Sequence, residues 1–405
     1  MESINLAHIS DTHVGFSQYP KKAPSGRGQR EQDFVRAFVQ AIDSIEKDDP
    51  ALVIHAGDFF DKPVVSLRHQ KQGQEALHSL SRRKDGSLRA VVVISGNHDQ
   101  PSDPREPCAL ELDTPIEGVH IVTNKYTQID FGPLVAAGSA PAELADLVVH
   151  ALPHDVLRTV EFDDVKPVAG KTNILVCHGV IGGSELYKRT IGREYALPIE
   201  VVSRGWDYVA MGHWHKRCPV AVGGYSAVTT PIWYAGSVEN NGFSDITDGS
   251  GNGRGYLRVQ VNPGNPPTVQ GVDLPIRAMF KLPEVDATDM KPEQIREQLT
   301  LNTKEADLYG AVVMQVVTGL TRDTWNLVDM DAVRATTREA IWYEARPVFS
   351  DEVDVDADGN KSDALSDLLV RVAEKVVTED GERELVLDKC RALLTEALDS
   401  DAKEK

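Results

Sequence analysis

No CxxC pair occurs in this chain. Its 4 cysteines among 405 residues, Cys108, Cys177, Cys218 and Cys390, are scattered, which argues against a disulfide framework or a structural zinc site. All four read as free thiols. No apolar run approaches the ~20 residues needed to span a bilayer, so a membrane span is excluded. With 41% hydrophobic and 26% charged residues, the composition is that of a soluble globular protein. The opening residues, MESINLAHIS, contain no basic n-region and no apolar h-region. They predict a cytoplasmic protein that begins directly with a strand.

Positive charge is also in deficit. The formal net charge is -19, which argues against a nucleic-acid ligand because phosphates attract Lys and Arg and repel a protein-wide negative field. Distribution softens the objection, since residues 351–405 hold 17 acidic and 8 basic side chains, about half of the imbalance. Basic clusters remain elsewhere: Lys21, Lys22, Arg27 and Arg30; Arg82, Arg83, Lys84 and Arg89; Lys188, Arg189 and Arg193; Lys216 and Arg217. Taken alone, each reads as a solvated face.

Two nucleotide- and cation-binding motifs are absent as well. Gly170-Lys171-Thr172 has the ending of a P-loop, but the required earlier glycine falls on Val165, so ATP use belongs to another chain. Asp354, Asp356, Asp358 and Gly359 begin like an EF-hand loop, but Leu365 stands where a bidentate Glu is required. That stretch is an acidic linker.

What is present is an alternation of short apolar runs with amphipathic stretches over the first ~270 residues, the pattern of an α/β fold. Strands are expected at Ile4–Ile9, Leu52–Ala56, Val91–Ser95, His120–Thr123, Val148–Leu152, Ile174–Cys177, Tyr208–Met211 and Ile232–Ala235. Phe34, Phe38, Ile42 and Ile45 recur at helical spacing and predict a surface helix. Ser244–Gly255 reads as a flexible loop, and the Pro-rich VNPGNPPTV from Val261 as a turn or boundary. Residues 271–350 carry a strand-like run, Gly310–Val317, and helical ones, Lys291–Leu301 and Met330–Tyr343, the mark of a small α+β domain. In residues 351–405 the acidic linker precedes Leu365, Leu368, Leu369 and Val372 at helical spacing, then Leu385–Leu398, a possible helical hairpin. Three units follow: 1–270, 271–350 and 351–405.

Five short motifs each begin where an expected strand ends: Asp11-Thr12-His13, Gly57-Asp58, Gly96-Asn97-His98-Asp99, His178-Gly179 and Gly212-His213-Trp214-His215. In an α/β sheet such strand ends open into a common crevice, so residues distant in sequence can meet there. Asp and Asn oxygens with several imidazoles suit Mn, Fe or Zn better than Ca or Mg. The glycines relieve crowding where backbone and ligands approach closely. Phosphodiester hydrolysis needs such a set, because two cations ~3.5–4 Å apart clamp the phosphate and acidify bound water. A shared anionic ligand is required to hold them that close, and Asp58 is the natural bridge. Each motif alone could be a cap or turn; five in this order are not coincidence. His8 and His55 lie inside apolar strands, and His69, His78, His120, His150 and His154 match no ligand pattern, so these read as core or surface residues.

The ordered set HISDTHVG, HAGDFFDKP, GNHD, CHG and GHWH resembles the calcineurin-like metallophosphoesterase superfamily, whose fold is a sandwich of two β-sheets flanked by helices. The stretch Arg30–Phe38, Asp61 of GDFFD and YAGSVENNGFSD from Tyr234 narrow the resemblance to SbcD-type DNA repair nucleases. It is firm over residues 4–246 and architectural beyond ~270, where family members carry a capping domain and a helical tail. The resemblance implies one metal on Asp11, His13, Asp58 and His215, and a second on Asp58, Asn97, His178 and His213. His98 would act on the scissile phosphate or leaving oxygen, with Asp99 a candidate to orient its ring. It further implies two divalent ions, manganese in the family, and a DNA substrate cut as a 3'-to-5' exonuclease on duplex ends and an endonuclease on single strands or hairpins. An SbcC-type ATPase partner and a homodimer belong to the same implication. The competing readings are another phosphoesterase of the superfamily, such as a cyclic-nucleotide phosphodiesterase or protein phosphatase, and a non-catalytic repair scaffold. A scaffold has no need of His98.

Overall fold

The computed structural model describes residues 3–349 except 20, 24–25, 27, 102, 104–105, 107, 112–114, 185–194, 221–230 and 247–252. The expected tail, residues 351–405, lies outside these, as do Cys390 and the basic residues Arg27, Lys188, Arg189 and Arg193.

Among the described residues the chain divides into two compact units: Met1–Lys281 with Asp307–Met314 and Arg338–Tyr343, and Leu282–Ala306 with Gln315–Thr337 and residues 344–349. In the first unit the strands in chain order are β1 (Ile4–Ile9), β2 (Leu52–Ala56), β3 (Ala90–Ile94), β4 (Val119–Val122), β5 (Thr127–Asp130), β6 (Leu147–Leu152) and β7 (Thr172–His178). After the short pair β8 (Val180–Ile181) and β9 (Ala196–Leu197) come β10 (Tyr208–Gly212), β11 (Cys218–Pro219), β12 (Ile232–Tyr234), β13 (Gly255–Asn262) and β14 (Asn265–Asp273). They form two six-stranded sheets, ordered β14-β13-β1-β2-β3-β4 and β11-β12-β10-β7-β6-β5. The first sheet is parallel from β1 to β4 and antiparallel on its β13–β14 side, and the second has a parallel centre with antiparallel edges at β11 and β5.

Every residue of β2, β3, β6, β7 and β10 is buried, which explains why these strands read as unbroken apolar runs. Alternate side chains divide between two faces. Leu6, Ile54 and Val92 of one sheet pack on Val149, Ile174 and Ala210 of the other, while Ala7, Val53 and Val93 face outward onto helices α1 (Gln29–Asp48) and α2 (Leu67–Leu80) through Phe38, Ile42, Ile45 and Leu77. The outer face of the second sheet is covered by Val201, Val202 and Trp206. Full burial of each large aliphatic side chain contributes about 1.5–3 kcal/mol. The result is the expected sandwich of two sheets between helices.

Of the two readings of the Pro-rich stretch after Val261, the structure shows the turn: it closes a hairpin between β13 and β14, and the sheet continues through it to Asp273. Two other local expectations need correction. The helix from Met330 stops at Thr336, and Trp342–Phe349 is a strand. The hydroxyls of Thr336 and Thr337 bond back to the Val333 and Arg334 carbonyls, competition that weakens a helix, and Pro347 further on could not continue one. Finally, two members of the basic clusters are not on a solvated face. Arg30 and Arg89 are fully buried, Arg30 between Asp33 and Glu239 and Arg89 against Asp49.

In the second unit the helix Pro292–Lys304 buries Ile295 and Leu299 and packs on the helix Met330–Thr336. Cys108, Cys177 and Cys218 are free thiols. Among the described residues no helix is long and apolar enough to cross a membrane.

Candidate metal centre

The sandwich brings the five motifs together because β1, β2 and β3 are parallel in one sheet, β7 and β10 are parallel in the other, and β2 packs against β7 and β10. Asp11 and His13 follow β1, Asp58 follows β2, Asn97 and His98 follow β3, His178 ends β7, and His213 and His215 follow β10. An unbroken series of contacts joins seven of them. His215 Nε2 lies 3.9 Å from Asp11 Oδ1 and 3.2 Å from His13 Nε2; His13 Nε2 is 3.8 Å from Asp58 Oδ2. On the other side of Asp58, His178 Nε2 is 3.4 Å away, and Asn97 Oδ1 lies 3.0 Å from both His178 Nε2 and His213 Nδ1. Asp58 therefore stands between two groups, Asp11, His13 and His215 on one side and Asn97, His178 and His213 on the other.

The backbone is bent to serve this arrangement. Asp11, His13, Asp58 and His213 all have positive φ, at 51°, 42°, 52° and 95°, a conformation that non-glycine residues hold only where surrounding structure enforces it. Here Asp11 N–H donates to the Gly57 carbonyl and His13 N–H to the Asp58 carbonyl, while the His98 N–H donates to Asp58 Oδ1 at 2.8 Å. Gly57 and Gly96 are required by crowding: a Cβ on Gly57 would lie 2.3 Å from His178 Nδ1, and one on Gly96 2.2 Å from Asp58 Oδ1.

Two of the outward-facing ring nitrogens, those of His178 and His215, have partners. His178 Nδ1 donates to the Ala56 carbonyl at 2.7 Å; a carbonyl can only accept, so in the neutral ring Nε2 is the lone-pair nitrogen turned to the centre. His215 Nδ1 faces Asp245 Oδ2 at 3.2 Å. Asp245 closes the YAGSVENNGFSD stretch that carries part of the resemblance, but no role follows from that stretch for it or for its neighbour Arg254. Asp99 does not orient His98. Its carboxylate accepts the N–H groups of Phe59, Phe60 and Gly96, whereas His98 Nδ1 donates to the Asp61 carbonyl at 2.9 Å. The His98 side chain is 44% exposed, with Nε2 left to meet a substrate.

Charge in the pocket is strongly coupled. Burial favours the neutral form of Asp58, but His178, His13 and His98 outweigh it and hold the carboxyl well below its usual range. Burial would lower His178, yet Asp58 and Asp11 draw its proton up to about 9. Burial and the His178 charge push His213 down to about 3. A buried pocket that keeps its carboxylate ionised and pulls protons onto a neighbouring imidazole has the negative field that a cation satisfies. Mixed carboxylate, amide and imidazole donors fit a transition-metal dication. Three groups, Asp11 with His13 and His215, His13 with Asp58 and His98, and Asp11 with Asp58 and His178, each offer ligand atoms within 4.8 Å of one another. The residues present fit divalent ions.

A family model described as calcineurin-like phosphoesterase matches residues 4–217. Among curated relatives, the chain is similar to DNA double-strand break repair protein Mre11 of Sulfurisphaera tokodaii, 23% identical over 323 residues that make up 77% of this chain and 74% of that one. The same-named proteins of Aeropyrum pernix and Thermoplasma acidophilum are 27% and 26% identical over 70% and 77% of this chain, and over 64% and 72% of their own lengths. The matched segment contains all five motifs, at the strand ends where a phosphoesterase site is built, and the chain belongs to the calcineurin-like phosphoesterase family, hydrolases of phosphate ester bonds.

Proposed function

We propose that this protein is a manganese-dependent, two-metal DNA nuclease of the SbcD type that acts in double-strand-break repair. The observation that carries the reading is the continuous series Asp11, His215, His13, Asp58, His178, Asn97, His213, with one buried carboxylate at its centre. Asp11, His13, Asp58 and His215 would hold one ion, and Asp58, Asn97, His178 and His213 the other. Two bound ions would neutralise the phosphate oxygens and make a water molecule acidic enough to supply hydroxide near neutral pH.

The chain's own groups then have defined tasks. Asp58, fixed by the His98 N–H, keeps the two ligand sets in register. The Ala56 carbonyl orients His178. His98 is the one histidine of the cluster that is both exposed and turned by a carbonyl so that Nε2 projects outward. It protonates the leaving oxygen or stabilises its charge, a contribution of typically 10²–10⁴-fold. Cleavage of duplex ends from the 3' side, cutting of single strands and hairpins, a homodimeric assembly and partnership with an SbcC-type ATPase complete the proposal, as the resemblance to SbcD-type nucleases implies; a cytoplasmic setting accords with it.

The test is to incubate the full chain and manganese with labelled linear duplex, hairpin and single-stranded DNA, and separately with a cyclic nucleotide. Shortening of the duplex and nicking of the hairpin support the reading. Hydrolysis of the cyclic nucleotide with DNA left intact replaces it with the phosphodiesterase alternative.

A further inference from the structure

Beneath the His215 side of the site runs a buried ionic chain that the hydrolytic mechanism does not use. Its near end is Asp245, whose Oδ2 faces His215 Nδ1 at 3.2 Å and accepts the Asn241 N–H at 2.8 Å. Arg254 clasps the same two residues through their backbones, donating to the His215 carbonyl and, at 2.5 Å, to the Asp245 carbonyl. Arg254 Nε continues to Asn240 Oδ1 at 2.7 Å. The Asn240 carbonyl accepts from Arg30 at 2.5 Å, and its N–H donates to Glu239 Oε1 at 2.9 Å. Arg30 then bridges Glu239 and Asp33, at 3.4 and 3.2 Å. The far end is Arg277, whose guanidinium grips Asp33, whose N–H donates to Glu239 Oε2 at 3.2 Å, and which also holds the Gly310 carbonyl at 2.5 Å.

Three cations, Arg30, Arg254 and Arg277, thus share one network with three anions, Asp33, Glu239 and Asp245: Arg30 pairs with Asp33 and Glu239 and Arg277 with Asp33, while Arg254 holds backbone carbonyls and the Asn240 side chain. Arg30, Asp33, Glu239 and Arg254 are 0%, 1%, 0% and 4% exposed. Taking such groups out of water is expensive, and well-packed apolar side chains of the same volume are often at least as stable. What a balanced buried network supplies instead is one geometry, because moving any member strands a charge in a low-dielectric interior. The geometry specified here is that of the His215 ring and backbone. The chain also links segments far apart in sequence, residues 30–33, 239–245, 254 and 277, so no local stretch of sequence announces it.

We propose that Asp245 is the positioning residue of His215, and that Arg277, through Asp33, Arg30, Glu239 and Arg254, is a remote positioning residue for the Asp11, His13 and His215 ligand set. The placement of the segment at Arg277 is thereby coupled to metal affinity on that side of Asp58 and not on the His178 and His213 side. This inference rests on the two-metal reading.

Calorimetric titration of manganese into the full chain tests both readings separately. Wild-type protein that binds no manganese refutes the two-metal reading itself. Given two sites in the wild type, Asp245→Ala should weaken one about 10–100-fold, the range for loss of a group that orients a ligand, and leave the other unchanged. Asp245→Asn keeps an acceptor oxygen for Nδ1–H and should fall between wild type and Asp245→Ala; it also serves if the alanine variant fails to fold. Arg277→Met, which leaves Asp33 paired with Arg30 and Arg36, should weaken the same site about 3–30-fold. A purely structural role would lower the melting temperature and leave both affinities at wild-type values. That outcome for folded Asp245→Asn overturns the role of Asp245; that outcome for Arg277→Met overturns the coupling.

Discussion

Adding one methyl group at residue 57 should disable half of the metal centre. A Cβ on Gly57 would sit 2.3 Å from His178 Nδ1 and 2.7 Å from its Cγ, whereas ordinary contacts begin near 3.5 Å, so the ring must retreat by about 1 Å. It has little freedom to rotate, since Nδ1 is bonded to the Ala56 carbonyl and its backbone is paired with Gly212. Metal–ligand distances tolerate only about ±0.2 Å. Residue 57 also has φ +93°, and the left-handed conformation adds about 1–2 kcal/mol for an L residue. Gly86 separates the two effects, because its φ is +84° and a Cβ there meets nothing within 4 Å. Gly86→Ala should therefore lose about 1–2 kcal/mol in urea unfolding and bind manganese normally. Gly57→Ala should lose more than that and weaken one manganese site by at least about tenfold in calorimetry. If the two variants behaved alike in both assays, the crowding that shapes the His178 side would be misread.

Other outcomes follow from the same geometry. His98→Asn should retain both manganese ions and DNA affinity while single-turnover cleavage falls about 10²–10⁴-fold; a variant keeping more than about a tenth of the rate removes His98 from the chemistry. His8 is fully buried and its pKa is lowered by that burial from 6.5 to about 3, so the unfolded state binds its proton first on acidification. Its contribution to stability is complete above about pH 6.5 and is lost progressively as pH falls toward 3. The loss reaches about 2 kcal/mol at pH 5, and His8→Gln should remove that much of the difference between urea titrations at pH 7 and pH 5. An unchanged difference would contradict it. Removing residues 362–405 should leave manganese binding and cleavage of short single strands intact and abolish capture of an SbcC-type ATPase. Undiminished capture by the truncated chain would place the docking surface elsewhere.

Legibility in the sequence followed burial. β1 and β2 coincide with their expected ranges and the other interior strands differ by a residue or two, because a strand covered on both faces must be apolar throughout. β13 and β14 were hidden: β13 completes its sheet beside β1, Ile4 against Val261, a pairing no local window contains, and β14 is an edge strand exposed enough to carry Pro266 and Pro267. The residues that gather in the candidate centre were legible as a set because each follows or ends a strand and carries a distinctive donor. What surrounds them was not. Asp99 looked like a partner for His98 because it is adjacent in sequence, yet its oxygens satisfy the N–H groups of Phe59, Phe60 and Gly96. Arg30 and Arg89 looked solvated because their carboxylate partners include residues up to 209 positions away, as with Glu239.

The central claim is that Asp58 joins two metal ions in one site. Electron paramagnetic resonance of the full chain titrated with manganese tests it directly, because two ions held ~3.5–4 Å apart by a shared carboxylate are magnetically coupled and isolated ions are not. The account predicts a coupled signal that saturates at two manganese ions per chain and disappears in Asp58→Ala. Saturation at a single ion, or an uncoupled spectrum with both ions bound, would contradict it.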